Sequence, residues 1–426
     1  MKNRYFNLGM ILALVLGGTL GYFDISSVGT FAKTVSTLSI FAKIANALNT
    51  FVEVISILFI NMLKLISLPM IFLAIVSTMT RMNSLSEAHL LLRKILKYTI
   101  ITTLIAATIG MLLFILIHPV KTSISNAETI PLQGSYFSFL INIIPENPIQ
   151  PFLENNVLAV AFIATILSVA ILKLPKEKSY LLRDFFNALF DALLKLASGL
   201  ILLMPIGVFA FTFQFVQSLK KDDETLEKLM LYALCVIAAN LIQGFITLPL
   251  MLKMKGISPS RTAKGMLPAL TMAFFTKSSN AALPITLDCV NRLGVSDKTA
   301  RFSLPLCSII NMNGCAAFIL ITILFVCASQ GITFTPFQMI PWIFLASLAA
   351  IGNAGVPMGC FFLTTAFLVG MGVPIEMMGM ILPLYSLFDM VETALNVWSD
   401  GCITTTVDKE LKAVSSETAT IRALKI

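Results

Sequence analysis

The sequence predicts an all-α integral membrane protein with eight transmembrane helices and two re-entrant helical hairpins. Hydrophobic residues make up 57% of the 426 residues and charged residues only 12%, whereas a soluble protein needs roughly 25% charged residues to cover its surface. Apolar windows of about 20 residues recur along the chain, and the basic residues form short clusters between them. Two further apolar segments are interrupted by polar or Gly/Pro residues. A surface of this composition suits lipid rather than water.

The formal net charge of +8 does not indicate a nucleic-acid partner, because the basic clusters alternate with apolar runs as cytoplasmic loops do. His89 and His118 are the two histidines and lie far apart, which argues against a His-based metal or hydrolase site. No cysteine belongs to a CxxC pair and most lie in apolar segments, so the sequence predicts neither a disulfide framework nor a zinc site. The seven are Cys235, Cys289, Cys307, Cys315, Cys327, Cys360 and Cys402.

The first helix follows a basic N-terminus that resembles a signal peptide. No small-residue cleavage site follows it, so we interpret it as an uncleaved span. The second and fifth windows exceed the minimum length and are expected to be tilted. The eight predicted spans are 6–23, 51–78, 97–119, 156–173, 190–218, 229–252, 303–328 and 374–398.

Loop charges predict the orientation of these spans. The stretches 121–154 and 329–336 carry little or no positive charge and are placed outside, and the mixed stretch 220–228 suits the outside by alternation. Both chain termini are then cytoplasmic. The Lys/Arg-rich stretches placed in the cytoplasm are 2–4, 81–97, 173–183, 253–264, 292–301 and the tail from Lys409.

The segments 266–290 and 338–371 do not fit simple spans. In the first, Lys277 to Asn280 separates two arms that are too short to cross, and in the second the break is 351–359. Irregular backbone at membrane depth is tolerated only where protein or a wet cavity covers it, and paired broken helices indicate a transporter binding site. We expect the two tips to approach each other near mid-membrane. The alternative is a pair of ordinary spans with Gly/Pro kinks.

The last helix carries a polar stripe on one face. Each acid at the bilayer centre costs at least ~2.5–3.5 kcal/mol, and no Lys or Arg lies within 374–398 to offset three of them. Bound cations, a substrate ammonium, protonation or Lys277 must neutralise the stripe, unless it is a buried network that only fixes helix packing. Its members are Asp389, Glu392, Thr393, Asn396 and Asp400.

A second polar cluster, Asn311 to Cys315, lies inside the seventh predicted span. Asn and Gly loosen a helix and free backbone carbonyls. Carbonyl oxygens together with a carboxylate are the ligands that a hard cation such as sodium prefers. The alternative is a glycine at a tight helix crossing.

These motifs carry a resemblance to the dicarboxylate/amino acid:cation symporter family, the glutamate transporters and their bacterial homologues. The segment Thr276 to Pro284 resembles the serine-rich tip of their first hairpin, and Asn311 to Gly314 resembles their unwound Asn-Met-Asp-Gly-Thr motif. The segment Ala354 to Pro357 resembles their second hairpin tip, and Asp389 to Asp400 their last-helix binding stripe. Order and spacing agree over about 50–405.

The resemblance implies a glutamate transporter homologue fold in a bacterial inner membrane, sodium as the co-transported ion, and a homotrimer with one pathway per subunit. It implies an elevator-like movement of a transport part, about 79–119 and 256–405, against a scaffold part, about 1–78 and 120–255. The partners it implies are an amino acid or dicarboxylate substrate, sodium ions and the lipid bilayer.

Residue by residue, the resemblance implies that Asp389 holds the substrate ammonium, and that Asn396 with the backbone of Ser278 and Ser279 holds the α-carboxylate. Further residues implied at the substrate site are Lys277, Cys315, Val356, Gly359, Glu392 and Thr393. It also implies three sodium sites. The first is formed by Asp400 with the carbonyls of Cys307, Asn311 and Asn396. The second is formed by the carbonyls of Ile309, Ala350, Ile351 and Asn353 with the Met312 sulfur nearby, and the third is lined by Thr102, Thr103, Asn311 and Asn313.

The chain departs from the family pattern at four positions. Glu392 stands where acidic-substrate members carry an arginine, and the segment 392–396 instead resembles the serine/threonine:sodium symporters. Cys315 replaces the threonine of the unwound motif and Asn313 its aspartate, while Thr99 replaces an aromatic residue. We therefore expect a sodium symporter for serine, threonine or alanine, with fewer or weaker sodium sites. The alternative is a sodium- or proton-coupled glutamate or dicarboxylate symporter.

Two other classes fit less well. An intramembrane aspartyl protease needs acids on separate helices, whereas the three acids here share one helix and no nucleophile–His pair is visible, so we expect no enzyme activity. A channel would leave an open pore, and hairpins that occlude the pathway favour stoichiometric transport, although a leak conductance could coexist.

Overall fold

A computed structural model describes residues 2–22, 38–81, 89–120, 144–154, 157–221, 224–353 and 358–423. Within these ranges the chain is helical and contains no strand. The helices are α1 (Lys2–Tyr22), α2 (Leu38–Arg81), α3 (His89–Ile117), α4 (Gln150–Leu153), α5 (Val157–Leu172), α6 (Lys176–Leu202), α7 (Met204–Lys221), α8 (Glu224–Ile242), a π turn (Gln243–Thr247), α9 (Leu248–Met254), α10 (Pro259–Thr276), α11 (Ser279–Arg292), α12 (Asp297–Ile310), α13 (Asn313–Ser329), α14 (Pro336–Gly352), α15 (Gly359–Gly370) and α16 (Glu376–Ala423).

Four stretches of the described chain are long and apolar enough to cross a membrane: Leu91–Ile117, Glu224–Met254, Asp297–Ser329 and Glu376–Ala413. They coincide with the predicted spans 97–119, 229–252, 303–328 and 374–398. The other predicted spans coincide with α1, α2, and α5 to α7, and their crossing of the bilayer stays a prediction.

The predicted single span 190–218 is wrong in one respect, because α6 ends at Leu202 and α7 begins at Met204. Pro205 has no backbone N–H and its ring clashes with the preceding turn, so it cannot continue the hydrogen-bond ladder of α6. Leu203 occupies the junction, and its carbonyl accepts the Ile206 N–H at 3.0 Å. The sequence around Leu203 is apolar on both sides, so the hydropathy pattern does not indicate this break.

The first predicted helix–break–helix segment is confirmed as a helical hairpin of α10 and α11. Lys277 links the two helices in a left-handed conformation with φ 53°. The helices run back along each other, since a Cβ on Gly265 in α10 would lie 2.6 Å from the side chain of Leu293 at the end of α11. Whether the hairpin is re-entrant in the bilayer stays a prediction.

The second predicted break separates α14 and α15. A capping box of Thr335 and Gln338 starts α14. The rings of Trp342 in α14 and Phe367 in α15 pack edge to face, with 6.1 Å between their centroids. The tip 354–357 lies outside the described residues, and so does the expected approach of the two tips.

The centre of the molecule is α13, in which every residue from Asn313 to Ala328 is buried. It packs against α3, α8, α14, α15 and α16. A helix that is apolar all round and buried all round is the core of a larger bundle. The start of α13, next to the middle of α16, is therefore enclosed by protein.

An ion cluster ties α3, the end of α9 and α16 together. Glu410 accepts hydrogen bonds from Lys94 at 2.5 Å, from Lys255 at 2.6 Å and from the hydroxyl of Tyr98. The hydrogen bond to Glu410 is the main reason that the pKa of Lys255 rises to about 12. The cluster lies at the end of the bundle where the loop charges predict the cytoplasm.

Candidate functional site

The site begins where the seventh predicted span is interrupted. Asn311 and Met312 leave helical geometry, with φ and ψ of −96° and 77° and of −111° and 64° respectively. The predicted loosening of this helix is thus confirmed. The last turn of α12 ends in carbonyls that the interruption deprives of intrahelical N–H partners. These oxygens are available to a ligand inside the bundle.

Asp400 on α16 faces this interruption and is 2% exposed. The side-chain amide of Asn311 donates to its Oδ1 at 2.8 Å, and the amide of Asn313 donates to Asn311 Oδ1 at 2.8 Å and to Ser399 Oγ at 2.7 Å. Among the described ion pairs none includes Asp400. Asp400 is therefore a buried carboxylate that receives a neutral amide donor and lies near the end of α12. A carboxylate in such surroundings can bind a hard monovalent cation.

The amide network continues away from Asp400 to α3. Gln243, in the π turn, donates to Asn313 Oδ1 at 3.0 Å and to the carbonyl of Thr102 at 3.0 Å. The hydroxyl of Thr103 donates to the carbonyl of Thr99 at 2.6 Å. Gln243 therefore connects two of the predicted ligands, Thr102 and Asn313, whereas the hydroxyl of Thr103 bonds within its own helix.

Two buried oxygens at this end accept no hydrogen bond from the described part of the chain, namely Gln243 Oε1 and Thr99 Oγ1. Sequence reasoning missed Gln243 and Ser399. A glutamine in the middle of the apolar window 229–252 was a usable signal, because polar side chains inside a span are expensive. Ser399 carried no comparable signal.

The structure also describes the other predicted cation ligands, and their arrangement as a site stays a prediction. Cys307 is fully buried, and its carbonyl accepts the Asn311 N–H at 2.8 Å. The carbonyl of Ala350 accepts the Asn353 N–H at 3.1 Å. Ile309 and Ile351 are half-buried.

Asn396 joins the interruption to the polar stripe of α16. Its Oδ1 accepts the Gly314 N–H at 2.9 Å, and its Nδ2 lies 3.4 Å from Met312 Sδ. Asn396 therefore contacts the residues that immediately follow Asn311.

The tip of the first hairpin reaches the N-terminal half of the stripe. Lys277 Nζ donates to Ser386 Oγ at 3.0 Å and interacts electrostatically with Asp389, which hydrogen bonds with Thr393. Lys277, one of the groups that could neutralise the stripe, therefore lies beside its first member.

The backbone beyond Lys277 is arranged to hold an anion. Ser278 caps α11 by accepting the Ala281 N–H at 3.2 Å. Ser278 and Ser279 are half-buried. The first amides of α11 therefore form an N-terminus suited to a carboxylate, near Asp389.

Glu392 is 1% exposed, and neither of its carboxylate oxygens has a hydrogen-bond partner among the described residues. Gly314 lets α13 come this close, because a Cβ there would lie 2.9 Å from Glu392 Cα and 2.8 Å from Asn240 Oδ1. Glu392 is thus a buried acid that packs against the start of α13.

The expectation of no disulfide is wrong for one pair, since Cys315 and Cys360 are bonded, with their Cα atoms 5.4 Å apart. The two lie 45 residues apart, and only the packing of α15 on α13 brings them together. Both sulfurs lie within 4.8 Å of a Glu392 carboxylate oxygen, and Asn353 Nδ2 lies 3.4 and 3.6 Å from them.

Gly359, another predicted substrate residue, packs closely on Asn353, because a Cβ on Gly359 would collide with Asn353 Oδ1. Of the predicted substrate residues, Val356 lies outside the described residues.

The chain is similar in sequence to known membrane transporters. Residues 6–410 match the model of the sodium:dicarboxylate symporter family. Excitatory amino acid transporter 3 of Mus musculus is 27% identical over 407 residues, covering 82% of this chain and 77% of the relative. Neutral amino acid transporter B(0) of Mus musculus is 30% identical over 268 residues, covering 62% of this chain and 48% of the relative. Excitatory amino acid transporter 3 of Homo sapiens is 26% identical over 468 residues, covering 96% and 86%.

Proposed function

The chain belongs to the sodium:dicarboxylate symporter family, and we propose that it moves serine, threonine or alanine together with sodium across a bacterial inner membrane. The choice of a neutral substrate rests on Glu392, which is a buried carboxylate without a hydrogen-bond partner among the described residues. Family membership makes the protein a sodium-coupled transporter and not an enzyme. Family membership also supports a homotrimer within the bilayer, with an elevator-like movement of residues about 79–119 and 256–405 against the remainder.

The cation side of the proposal rests on Asp400. Its carboxylate faces the carbonyls freed at Asn311 and receives a neutral amide donor at 2.8 Å. A sodium ion there would supply the missing positive charge and use the free carbonyl oxygens as ligands. A second ion would be held by the carbonyls of Ile309, Ala350, Ile351 and Asn353, with the Met312 sulfur nearby.

The substrate side rests on α11 and the stripe of α16. The amides at the start of α11 would hold the α-carboxylate, and Asp389 the ammonium. Because Glu392 lies one turn beyond Asp389, a substrate side chain would approach it. An ionised Glu392 would repel a side-chain carboxylate by several kcal/mol in this enclosed site, whereas a short neutral side chain meets no such repulsion.

Coupling follows from shared residues. Asn311 donates to Asp400, and the next residues, Met312 and Gly314, contact Asn396. A cation that orders the interruption would therefore also position Asn396 for the substrate. Coupling of this kind is reciprocal, so substrate binding would raise sodium affinity by the same factor.

One observation favours a glutamate or dicarboxylate symporter instead. Lys277 Nζ donates to Ser386 Oγ at 3.0 Å, one to two turns before Glu392, and it is a cation that a second substrate carboxylate could use. Its interaction with Asp389 argues against this role, because that carboxylate already engages it.

Competition binding to purified protein tests the substrate class. Serine should displace a bound radiolabelled neutral amino acid in the presence of sodium, and aspartate and succinate should not. Displacement by aspartate or succinate without displacement by serine would favour the second candidate.

A further inference from the structure

The disulfide between Cys315 and Cys360 joins two irregular points of the fold. Cys315 is the third residue of α13, directly after the interruption at Asn311 and Met312. Cys360 is the second residue of α15, directly after the tip of the second hairpin. The bond therefore links the hairpin to the interrupted helix beside Asn396 and Glu392, rather than joining two regular helices in their middle.

The surroundings of the pair differ from those of an ordinary core disulfide. Both cysteines are 3% exposed, and the unpartnered carboxylate of Glu392 lies within 4.8 Å of both sulfurs. Thiols can donate weak hydrogen bonds to such a carboxylate, and a disulfide cannot. Reduction would give Glu392 two donors, and oxidation leaves it buried without one, which is unfavourable. The buried carboxylate therefore favours the reduced pair, so the bond is open to reduction.

We propose that Cys315 and Cys360 form a reversible dithiol–disulfide pair whose oxidised form arrests transport by cross-linking α15 to α13. The proposal rests on the proposed transport function. The substrate residues Asn396 and Glu392 are buried beneath these elements, so a substrate reaches them only when neighbouring elements separate. A covalent bond with the Cα atoms 5.4 Å apart prevents that separation between Cys315 and Cys360.

The oxidant is a small disulfide. A thiolate of one cysteine attacks a sulfur of the oxidant, forms a mixed disulfide and releases one thiol. The second cysteine attacks the protein-side sulfur of the mixed disulfide, which forms the Cys315–Cys360 bond and releases the second thiol. The protein loses two protons and two electrons, and the oxidant disulfide takes them up and is reduced to two thiols.

Uptake into proteoliposomes tests the pair, with dithiothreitol as the reductant and dithiodipyridine as the oxidant. Reduced protein should accumulate serine in a sodium gradient, and oxidised protein should fall to the level of liposomes without protein. A second addition of dithiothreitol should restore uptake. Mass spectrometry of digested, oxidised protein should show the peptide of Cys315 joined to that of Cys360.

The variants Cys315→Ser and Cys360→Ser should each lose the sensitivity to oxidation. The matched control is Cys327→Ser, since Cys327 is a buried free cysteine of the same helix α13, and this variant should keep the sensitivity. If a serine variant does not transport, the cross-linked peptide of the unmodified chain still decides whether the pair forms.

Equal uptake by reduced protein and by protein with a demonstrated cross-link would overturn the inference and leave the proposed function standing. The absence of the joined peptide after oxidation would also overturn it. If the reduced protein takes up neither serine nor an acidic amino acid, the proposed function fails, and the peptide measurement still tests the pair.

Discussion

Replacing Asp400 by asparagine removes the charge of the proposed cation site while keeping its shape. The new side chain retains the Oδ1 that accepts the Asn311 amide at 2.8 Å, so the fold should persist. A cation about 2.4 Å from a carboxylate oxygen gains roughly 7 kcal/mol at an effective dielectric constant of about 20. If the lost hydration of the ion offsets somewhat more than half of this, about 3 kcal/mol remains, which is roughly a hundredfold in sodium affinity.

The assay is the sodium dependence of serine uptake by reconstituted protein. Asp400→Asn should raise the half-saturating sodium concentration by about a hundredfold, with the melting temperature of the detergent-solubilised protein unchanged. Glu376→Gln is the matched control, because Glu376 is an exposed acid in the first turn of the same helix. An unchanged sodium dependence in a folded Asp400→Asn protein would refute the assignment of Asp400 to the cation site.

Three further predictions concern α16 and its neighbours. Glu392→Arg should shift competition binding from serine toward aspartate, because a cation replaces an anion near the substrate side chain; an unchanged preference would contradict the placement of Glu392. Gly314→Ala should lower the free energy of unfolding by about 1–3 kcal/mol, because the added Cβ would lie 2.8 Å from Asn240 Oδ1. Thermal unfolding in detergent measures this loss of stability, and an unchanged melting temperature would contradict the close packing of Gly314 on Asn240. Glu410→Gln should lower the free energy of unfolding by about 1 kcal/mol, because Lys255 loses its carboxylate acceptor. The control is Glu376→Gln. If Glu410→Gln lowers the melting temperature no more than this control does, the ion cluster around Glu410 does not stabilise the fold.

The interruptions of the helices were predictable where polar residues stand inside apolar windows. Lys277 to Asn280 and Asn311 to Gly314 are expensive at membrane depth, so their presence indicates both a break in the backbone and a ligand site. The structure confirms both breaks. The periodicity of the stripe from Asp389 to Asp400 likewise placed its members on one face of one helix.

The break at Leu203 was missed because the residues around it are all apolar. Pro205 was the available signal, and it was outweighed by the length of the hydrophobic run. The π turn that presents Gln243 has no comparable sequence signature.

The pairing of Cys315 with Cys360 depends on tertiary packing rather than on local sequence. No spacing rule joins two cysteines 45 residues apart when a hairpin arm and an interrupted helix lie between them. The amide chain from Asp400 to Thr102 through Gln243 could not be predicted for the same reason, since its members come from α16, the interruption at Asn311, α13, the π turn and α3.

Uptake of radiolabelled serine into proteoliposomes, with an inward sodium gradient and with a proton gradient in its place, tests the central claim most directly. The proposed function predicts accumulation of serine above its external concentration only with the sodium gradient, and none of succinate. Accumulation that follows the proton gradient and ignores sodium, or accumulation of succinate but not serine, would contradict the claim.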